Sequence, residues 1–434
     1  MNFLINLLMI VVIVVAIGIL IYLPWPVLIA IAVLLALWMA FTRIGRQAWS
    51  VTKVGIATIP QRLGSSSVIV VGIAGVVGVL VALLAMGDGF RQTLQQTGDT
   101  DTAIVMRGGA TAELSSGISR DEVTLVSQMP GILKDAQSKP IASPELVVVA
   151  NIPKKGTNTD ANVEIRGVGE QAFALRPNVK VVSGKAFKAG LRELIVGKGA
   201  LAQFAGLEPG STLNLGNQQW TITGIFESGD AHESELWGDV ETVSAAYRRQ
   251  GYQSVTVRLT SPDALDQLKA AIAADPRLKV DAKTTIDYYS AQSENLTKVI
   301  RVMGIVIGVI MGIGAIFGAL NTMYAAVATR AREIATLRAI GFRGLPVVVS
   351  VLLETMLLAL AGGMLGAAIA WLIFNNYTVS TLGANFSQVV FAFKVSPALV
   401  WNGLKWALAI GFIGGLFPAL RAARLPVTTA LREL

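Results

Sequence analysis

The sequence predicts an α-helical membrane protein carrying a large extracytoplasmic α+β domain. Of its 434 residues, 53% are hydrophobic, and the mean hydropathy is +0.60. That balance fits a membrane protein with a sizeable water-soluble part. Apolar runs long enough to cross a bilayer recur along the chain. Between two of them lies one long polar region, about Asp88 to Asn295, with strand alternation and helix caps.

Phe3–Leu23 is uncharged and has neither a basic n-region nor a small-residue cleavage site, so it reads as a retained span. Val27–Phe41 is shorter, extended at an interface by Trp25 and Pro26, and completes an N-terminal hairpin over 1–42. Arg43, Arg46, Lys53 and Arg62 surround the amphipathic stretch Trp49–Ile59, expected as a surface elbow over 43–65. Next come a span at 66–90, the large domain at 91–296 and a span at 297–327. A basic connection at 328–345, a span at 346–376, an outer loop at 377–398, a span at 399–420 and a tail at 421–434 complete the order.

Charge orients these spans. Arg330, Arg332, Arg338 and Arg343 crowd one connection, Arg421, Arg424 and Arg432 the tail, while 375–397 holds only Lys394. The positive-inside rule places both termini in the cytoplasm and the large domain outside. Five spans in place of six would move only the N-terminus. The net charge of +8 resides largely in these flanks, and no basic stripe with interleaved aromatics suggests nucleic acid. One histidine and no cysteine speak against a His-cluster metal centre and exclude disulfides.

Small residues recur within the spans. Gly304, Gly308 and Gly312 follow every fourth position, as do Gly314 and Gly318, and Gly362 and Gly366. Such spacing lets helix backbones approach, within one bundle or across a dimer seam. Glu354 is either a proton-relay carboxylate or an interface residue near the cytoplasmic end of its span. Lys405 can snorkel outward. Lone charges on different spans give little support to a proton-driven carrier.

The large domain shows two similar strand–helix–strand units. In the first, Ala103–Met106 and Glu145–Ala150 flank a helix opened by the Ser119/Glu122 capping box. In the second, Val255, Val257 and Leu259 alternate, a helix carries Leu265, Leu268 and Ile272, and a strand follows near Val280. Between them, about Ala161–Ala246 is richer in strands, with Glu193–Val196, an alternating Trp220–Phe226, and turns at Pro209-Gly210 and Gly216-Asn217. Asp230, His232, Glu233, Glu235 and Asp239 form an acidic loop, expected to be solvated, with a divalent-cation site as the alternative.

No G-x-x-x-x-G-K-[ST] loop, G-x-S-x-G, H-E-x-x-H or paired catalytic carboxylates occur, so no catalytic residue is assigned and chemical energy is expected from a partner. The connection Asn321–Gly344 reads NTMYAAVATRAREIATLRAIGFRG, with Ile334, Leu337 and Ile340 at helical spacing. It is either a docking knob for a cytosolic partner or a surface loop whose arginines fix topology.

Three segments carry a resemblance to the MacB/FtsX-like family of ABC transporter permeases. They are ATRAREIATLRAIGFRG at 328–344, LLETMLLALAGGMLG at 352–366 and FPALRAARLPVTTALRE at 417–433. ELIVGKGALAQFAGLEPGSTLNLG at 193–216 looks like the periplasmic domain of MacB-type members. The resemblance implies a porter-like layer of strand–helix–strand units with a β-rich sabre-like insert, in an inner membrane facing a periplasm. It implies a coupling helix contacting an ATPase, here Thr329, Arg330, Arg332, Glu333, Leu337, Arg338 and Gly341. The implied partners are a separate ABC ATPase subunit holding ATP and Mg, a second permease copy or homologous permease, and a periplasmic adaptor. MacB carries its ATPase fused at the N-terminus; here a separate chain is expected. The expected activity is export or extraction by mechanotransmission, without catalysis in this chain. The alternative is an FtsX-like regulator activating an external hydrolase. Residues 1–42 have no counterpart in the four-span core.

Overall fold

The computed structural model describes residues 18, 21–383 and 385–424. Almost all of Phe3–Leu23, and 425–434 with Arg432, lie outside the described residues. The chain forms two compact units. One comprises Met1–Met86, Ile300–Asn376 and Lys394–Leu434; the other comprises Gly87–Val299 and Tyr377–Phe393.

Four helices among the described residues are long and apolar enough to cross a membrane: Ile59–Thr97, Thr285–Thr329, Gly344–Phe374 and Pro397–Arg424, the first two continuing past the ends of the first unit's segments. Trp25–Phe41 and Arg43–Ala57 meet at 102° and make at most one more span together. The bend has a local cause. Thr42 is extended, and its hydroxyl accepts from Gly45 N at 2.9 Å, capping the second helix. A Cβ on Gly45 would lie 2.1 Å from Trp38 O, so the turn requires glycine there. Arg43–Ala57 buries small residues, Gly45, Ala48, Thr52 and Gly55, and exposes Arg46, Trp49 and Lys53.

Two helices run beyond their apolar cores. Leu63–Thr97 continues past Gly87-Asp88-Gly89, because Arg91, Gln92, Leu94 and Gln95 favour helix and Phe90 and Leu94, four apart, are buried. Thr285–Thr329 begins well before residue 297; the Thr284 hydroxyl accepts from Asp287 N at 3.1 Å at its start. Five of the regularly spaced glycines pack within the chain, while Gly314 and Gly318 have nothing within 4 Å. A Cβ on Gly362 or Gly366 would fall 2.6 Å from Val70 O or 2.3 Å from Ala74 O, so those two helices touch backbone to backbone. Gly304 and Gly308 face Leu83 and Leu80 at 3.4 and 3.3 Å, and Gly312 faces Ile410 at 3.6 Å.

The second unit is built on a ten-stranded sheet. Its strands are β1 Thr102–Arg107, β2 Ala142–Pro153, β3 Asp160–Val168, β4 Lys180–Gly184, β5 Glu193–Gly197, β6 Thr212–Leu215, β7 Gln218–Glu227, β8 Glu235–Asp239, β9 Ser254–Arg258 and β10 Val280–Thr284. The order is β10-β1-β9-β2-β3-β8-β5-β7-β4, with β6 on β7. The first four are the two strand–helix–strand units interleaved, antiparallel at each contact, as in a split βαβ arrangement. Helix Arg120–Ser127 carries the expected capping box: Ser119 and Glu122 each accept from the other's backbone N–H. The strand-rich middle is joined edge-on through the β2–β3 hairpin, so the insert extends the sheet. Gly216 and Asn217, both at positive φ, turn β6 into β7.

One sheet face forms the apolar core, with Val105, Leu146, Val148, Ile165, Val196, Trp220 and Val255, and Leu268 joins it from helix Ala264–Ala274. Residues 377–398, read as a loop from sequence, contain a second sheet, β11 Thr378–Leu382 and β12 Gln388–Ala392, within this unit.

Candidate functional site

The connection between the second and third long helices is itself a helix, Ala331–Ala339. It buries Ile334 and Ala335. Thr329, Arg332, Glu333, Thr336, Ile340 and Gly341 are exposed, Ile340 at 69%, while Leu337 and Arg338 are half-buried. Gly341, at φ 103°, ends the helix in a conformation that favours glycine. The expected coupling residues therefore occupy one helix and its two flanks.

Arg330 differs from the rest. It caps this helix at the break with Thr285–Thr329, and its side chain is only 14% exposed. Its Nη1 donates to Glu354 Oε2 at 3.1 Å and its Nε to Glu333 Oε2 at 3.3 Å. Arg62 Nη2 donates to Glu354 Oε1 at 2.6 Å. Glu354 is thus the acceptor for two guanidiniums and is 2% exposed. Arg330 holds an internal ion pair.

The second unit holds a larger buried charge cluster that sequence reading missed. Arg166, 1% exposed, donates from Nη1 to Glu113 Oε1 and Oε2 at 2.9 and 3.0 Å and to Glu145 Oε2 at 3.0 Å. Nη2 donates to Glu164 Oε1 at 2.9 Å and Glu235 Oε1 at 3.0 Å, and Nε to Glu235 Oε2 at 2.8 Å. Arg176 adds a fork to Glu145 at 2.6 and 3.0 Å. Burial alone would raise Glu145, but Arg176 and Arg166 overcome it and hold the carboxyl at about 2. Burial and the adjacent Glu235 charge push Glu164 up to about 8. Glu164 Oε2 also accepts from Asn385 Nδ2 at 3.1 Å and Ser387 Oγ at 3.0 Å, tying the β11–β12 turn to β3.

The acidic loop is not solvated. Asp230, His232 and Glu235 are buried, His232 at 1%. Asp230 accepts from His232 Nδ1 at 3.1 Å, and the imidazole stands edge-on to Trp237. The turn folds inward because Glu233 accepts from Ser228 N and Gly229 N, at 3.0 and 2.7 Å. Among the described residues no group of three His, Cys, Asp or Glu side chains is placed to hold a metal ion. The missed signal lay in β3: Glu164 and Arg166, two apart, share the face opposite Val163 and Ile165.

Two family models match the chain: a MacB-like periplasmic core domain over residues 66–275 and an FtsX-like permease C-terminal region over 305–427. The macrolide export ATP-binding/permease protein MacB of Vibrio parahaemolyticus is 25% identical over 391 residues, covering 84% of this chain and 56% of that protein. MacB 2 of Yersinia pestis bv. Antiqua is 27% identical over 394 residues, covering 84% and 54%. The chain thus spans about half the length of these curated relatives. The periplasmic region of MacB from Actinobacillus actinomycetemcomitans aligns at TM-score 0.35 and 16% identity, over 46% of this chain and 94% of that one. The extracellular domain of the Gram-positive transporter YknZ aligns at TM-score 0.31 and 14% identity, over 42% and 100%. Matched over most of its length by the two models together, the chain belongs to the MacB/FtsX-like family of ABC transporter permeases.

Proposed function

We propose that this chain is the membrane subunit of an ABC exporter or extractor, driven by a separate ATPase subunit that binds ATP and Mg. The observation that carries the reading is the Ala331–Ala339 helix, held between two apolar helices with Arg332, Glu333, Thr336 and Ile340 outward. A short exposed helix with an arginine in its first turn and an apolar end is a suitable docking element for a second protein. Charge supports the orientation: Arg332, Arg338 and Arg343 favour a cytoplasmic connection, which puts the second unit on the periplasmic side and both termini inside. ATP-driven motion at this helix would then move the periplasmic unit by mechanotransmission, alongside a second permease copy or homologue and, for export, an adaptor.

The test is purification of the native complex in mild detergent, with identification of every retained protein. A co-purifying ATPase with a phosphate-binding loop is expected. Arg332→Glu should cut its recovery at least about tenfold, an arginine at such a contact contributing more than about 1 kcal/mol. Active complexes repeatedly free of any ATPase would refute the reading, and an external hydrolase bound in place of an adaptor would move it to regulation. Relatives are named for macrolide export, so a macrolide is the first substrate probe.

A further inference from the structure

We infer that Glu354 is the joint through which motion of the Ala331–Ala339 helix passes to the membrane helices. The inference deepens the coupling function proposed above and rests on it. Glu354 is a positioning residue here: it is buried and offers nothing to a docking protein.

The joint is a short chain of ion pairs. Glu333, on the exposed helix, accepts from Arg330; Arg330 donates to Glu354; Glu354 accepts from Arg62. Two cations and two anions balance. Arg62 ends the Ile59–Arg62 turn that leads into Leu63–Thr97, Arg330 lies between Thr285–Thr329 and Ala331–Ala339, and Glu354 is on Gly344–Phe374. Three of the four long helices therefore meet at one carboxylate.

Arg330 sits where any change of angle between Thr285–Thr329 and the exposed helix must occur. The amphipathic helix Arg43–Ala57 closes over the joint. A Cβ on Gly55 would stand 3.1 Å from Glu354 Oε2 and 3.5 Å from Arg330 Nη1. A buried carboxylate with two guanidiniums does not yield gradually. Withdrawing one cation leaves an uncompensated charge away from water, which is strongly unfavourable. Displacement of Arg330 thus forces Glu354 and Arg62 to follow or to switch partners, a two-position response suited to transmitting a step.

The chain has no cysteine, so single labels are unambiguous. Environment-sensitive probes at Thr336→Cys, exposed on the short helix, and Thr157→Cys, exposed in the β2–β3 turn, report the near and far ends. The full chain with its co-purified ATPase is measured with and without ATP and vanadate. In otherwise native protein both probes should shift. With Glu354→Gln, ATPase recovery and the near-probe shift should persist while the far-probe shift falls about tenfold, within the range of site-to-site couplings. A far shift equal to the native one, or equal losses at both probes, overturns the inference and leaves the function standing. No shift at either probe in the native chain overturns the function and the inference with it. If Glu354→Gln does not fold, Arg62→Lys decides, since it keeps the charge and shortens the reach. A reduced far shift supports the joint, and an unchanged one overturns it.

Discussion

Replacing Arg166 by methionine tests the electrostatic design of the periplasmic-type unit. The change removes one guanidinium that donates to four buried carboxylates. Glu145 keeps its fork from Arg176, and Glu164, raised to about 8, is already largely protonated at neutral pH. The loss therefore falls on Glu113 and Glu235, which retain only the Ser254 hydroxyl and the Trp237 indole N–H as donors. Leaving a buried charge unpaired costs about 3–5 kcal/mol. Protonation is the escape, at about 3.7 kcal/mol per ordinary carboxyl at pH 7. Buried methionine returns part of this, so the net loss is about 5 kcal/mol, comparable to the whole stability of many domains. In the variant Glu235 loses the cation that opposes its burial, so its folded-state pKa rises above the unfolded one. Its contribution is then fully present below the unfolded pKa and lost as pH rises, so acid should rescue. At pH 5 protonation costs only about 1 kcal/mol per carboxyl, which the buried methionine offsets, so the loss should nearly vanish. Full-length protein in detergent, unfolded by urea at pH 5 and pH 7.5 with tryptophan emission as signal, measures this, because Trp237 borders the cluster. A variant within about 1 kcal/mol of the native protein at pH 7.5, or a loss independent of pH, would refute the reasoning.

Glu164→Gln should flatten the native pH dependence. The raised Glu164 carboxyl stabilises most below about 4.5 and loses that contribution as pH rises towards 8, at no more than about 1.4 kcal/mol per unit. Identical urea midpoints against pH in both proteins would contradict it. Lowering pH below about 4 should act oppositely through Glu145, whose contribution is present above its unfolded pKa and lost as pH falls towards 2. Gly366→Val should destabilise the helical unit by about 1–3 kcal/mol, since its Cβ would meet Ala74 O at 2.3 Å. Gly314→Ala, with nothing within 4 Å, should stay within about 0.5 kcal/mol, as read by thermal melting in detergent.

The sequence was most readable where a local rule decides the outcome. The Ser119/Glu122 box, the Gly216-Asn217 turn and the alternation of Val255 and Val257 each carry their own geometry within a few residues. The long apolar runs were equally plain, though in their polar continuations, 87–97 and 285–299, the helical spacing rests on a few side chains such as Phe90 and Leu94, too short a signal to separate them from loop. Pairings over long separations were not legible. Glu113, Glu145, Arg166 and Glu235 come from distant positions, and only the sheet order brings them to one guanidinium. Reading Asp230–Asp239 as a solvated loop failed for the same reason, since clustered acids look solvated until a distant arginine is known to face them. Glu354 and Arg62, 292 positions apart, repeat the case in the helical unit.

The two units invert each other in how they hold charge. The helical unit is fastened by close backbone contact at Gly362 and Gly366 and carries one buried ion chain at the end beside the exposed helix. The sheet unit is fastened by an apolar core on one face and concentrates its charge on the other. The chain passes between the units at 86/87, 299/300, 376/377 and 393/394. The last two passages frame the β11–β12 hairpin, whose turn donates to Glu164 from Asn385 and Ser387. A step arriving along Gly344–Phe374 would thus reach the sheet at the carboxyl whose charge is already disfavoured by burial and by Glu235. Apolar contacts slide with little penalty, whereas this buried carboxyl is left with an unsatisfied acceptor if Asn385 or Ser387 withdraws, which is costly. In the proposed relay, charge placed at the start and at the end of the path, with tight helix packing between, makes each end discriminate between discrete positions.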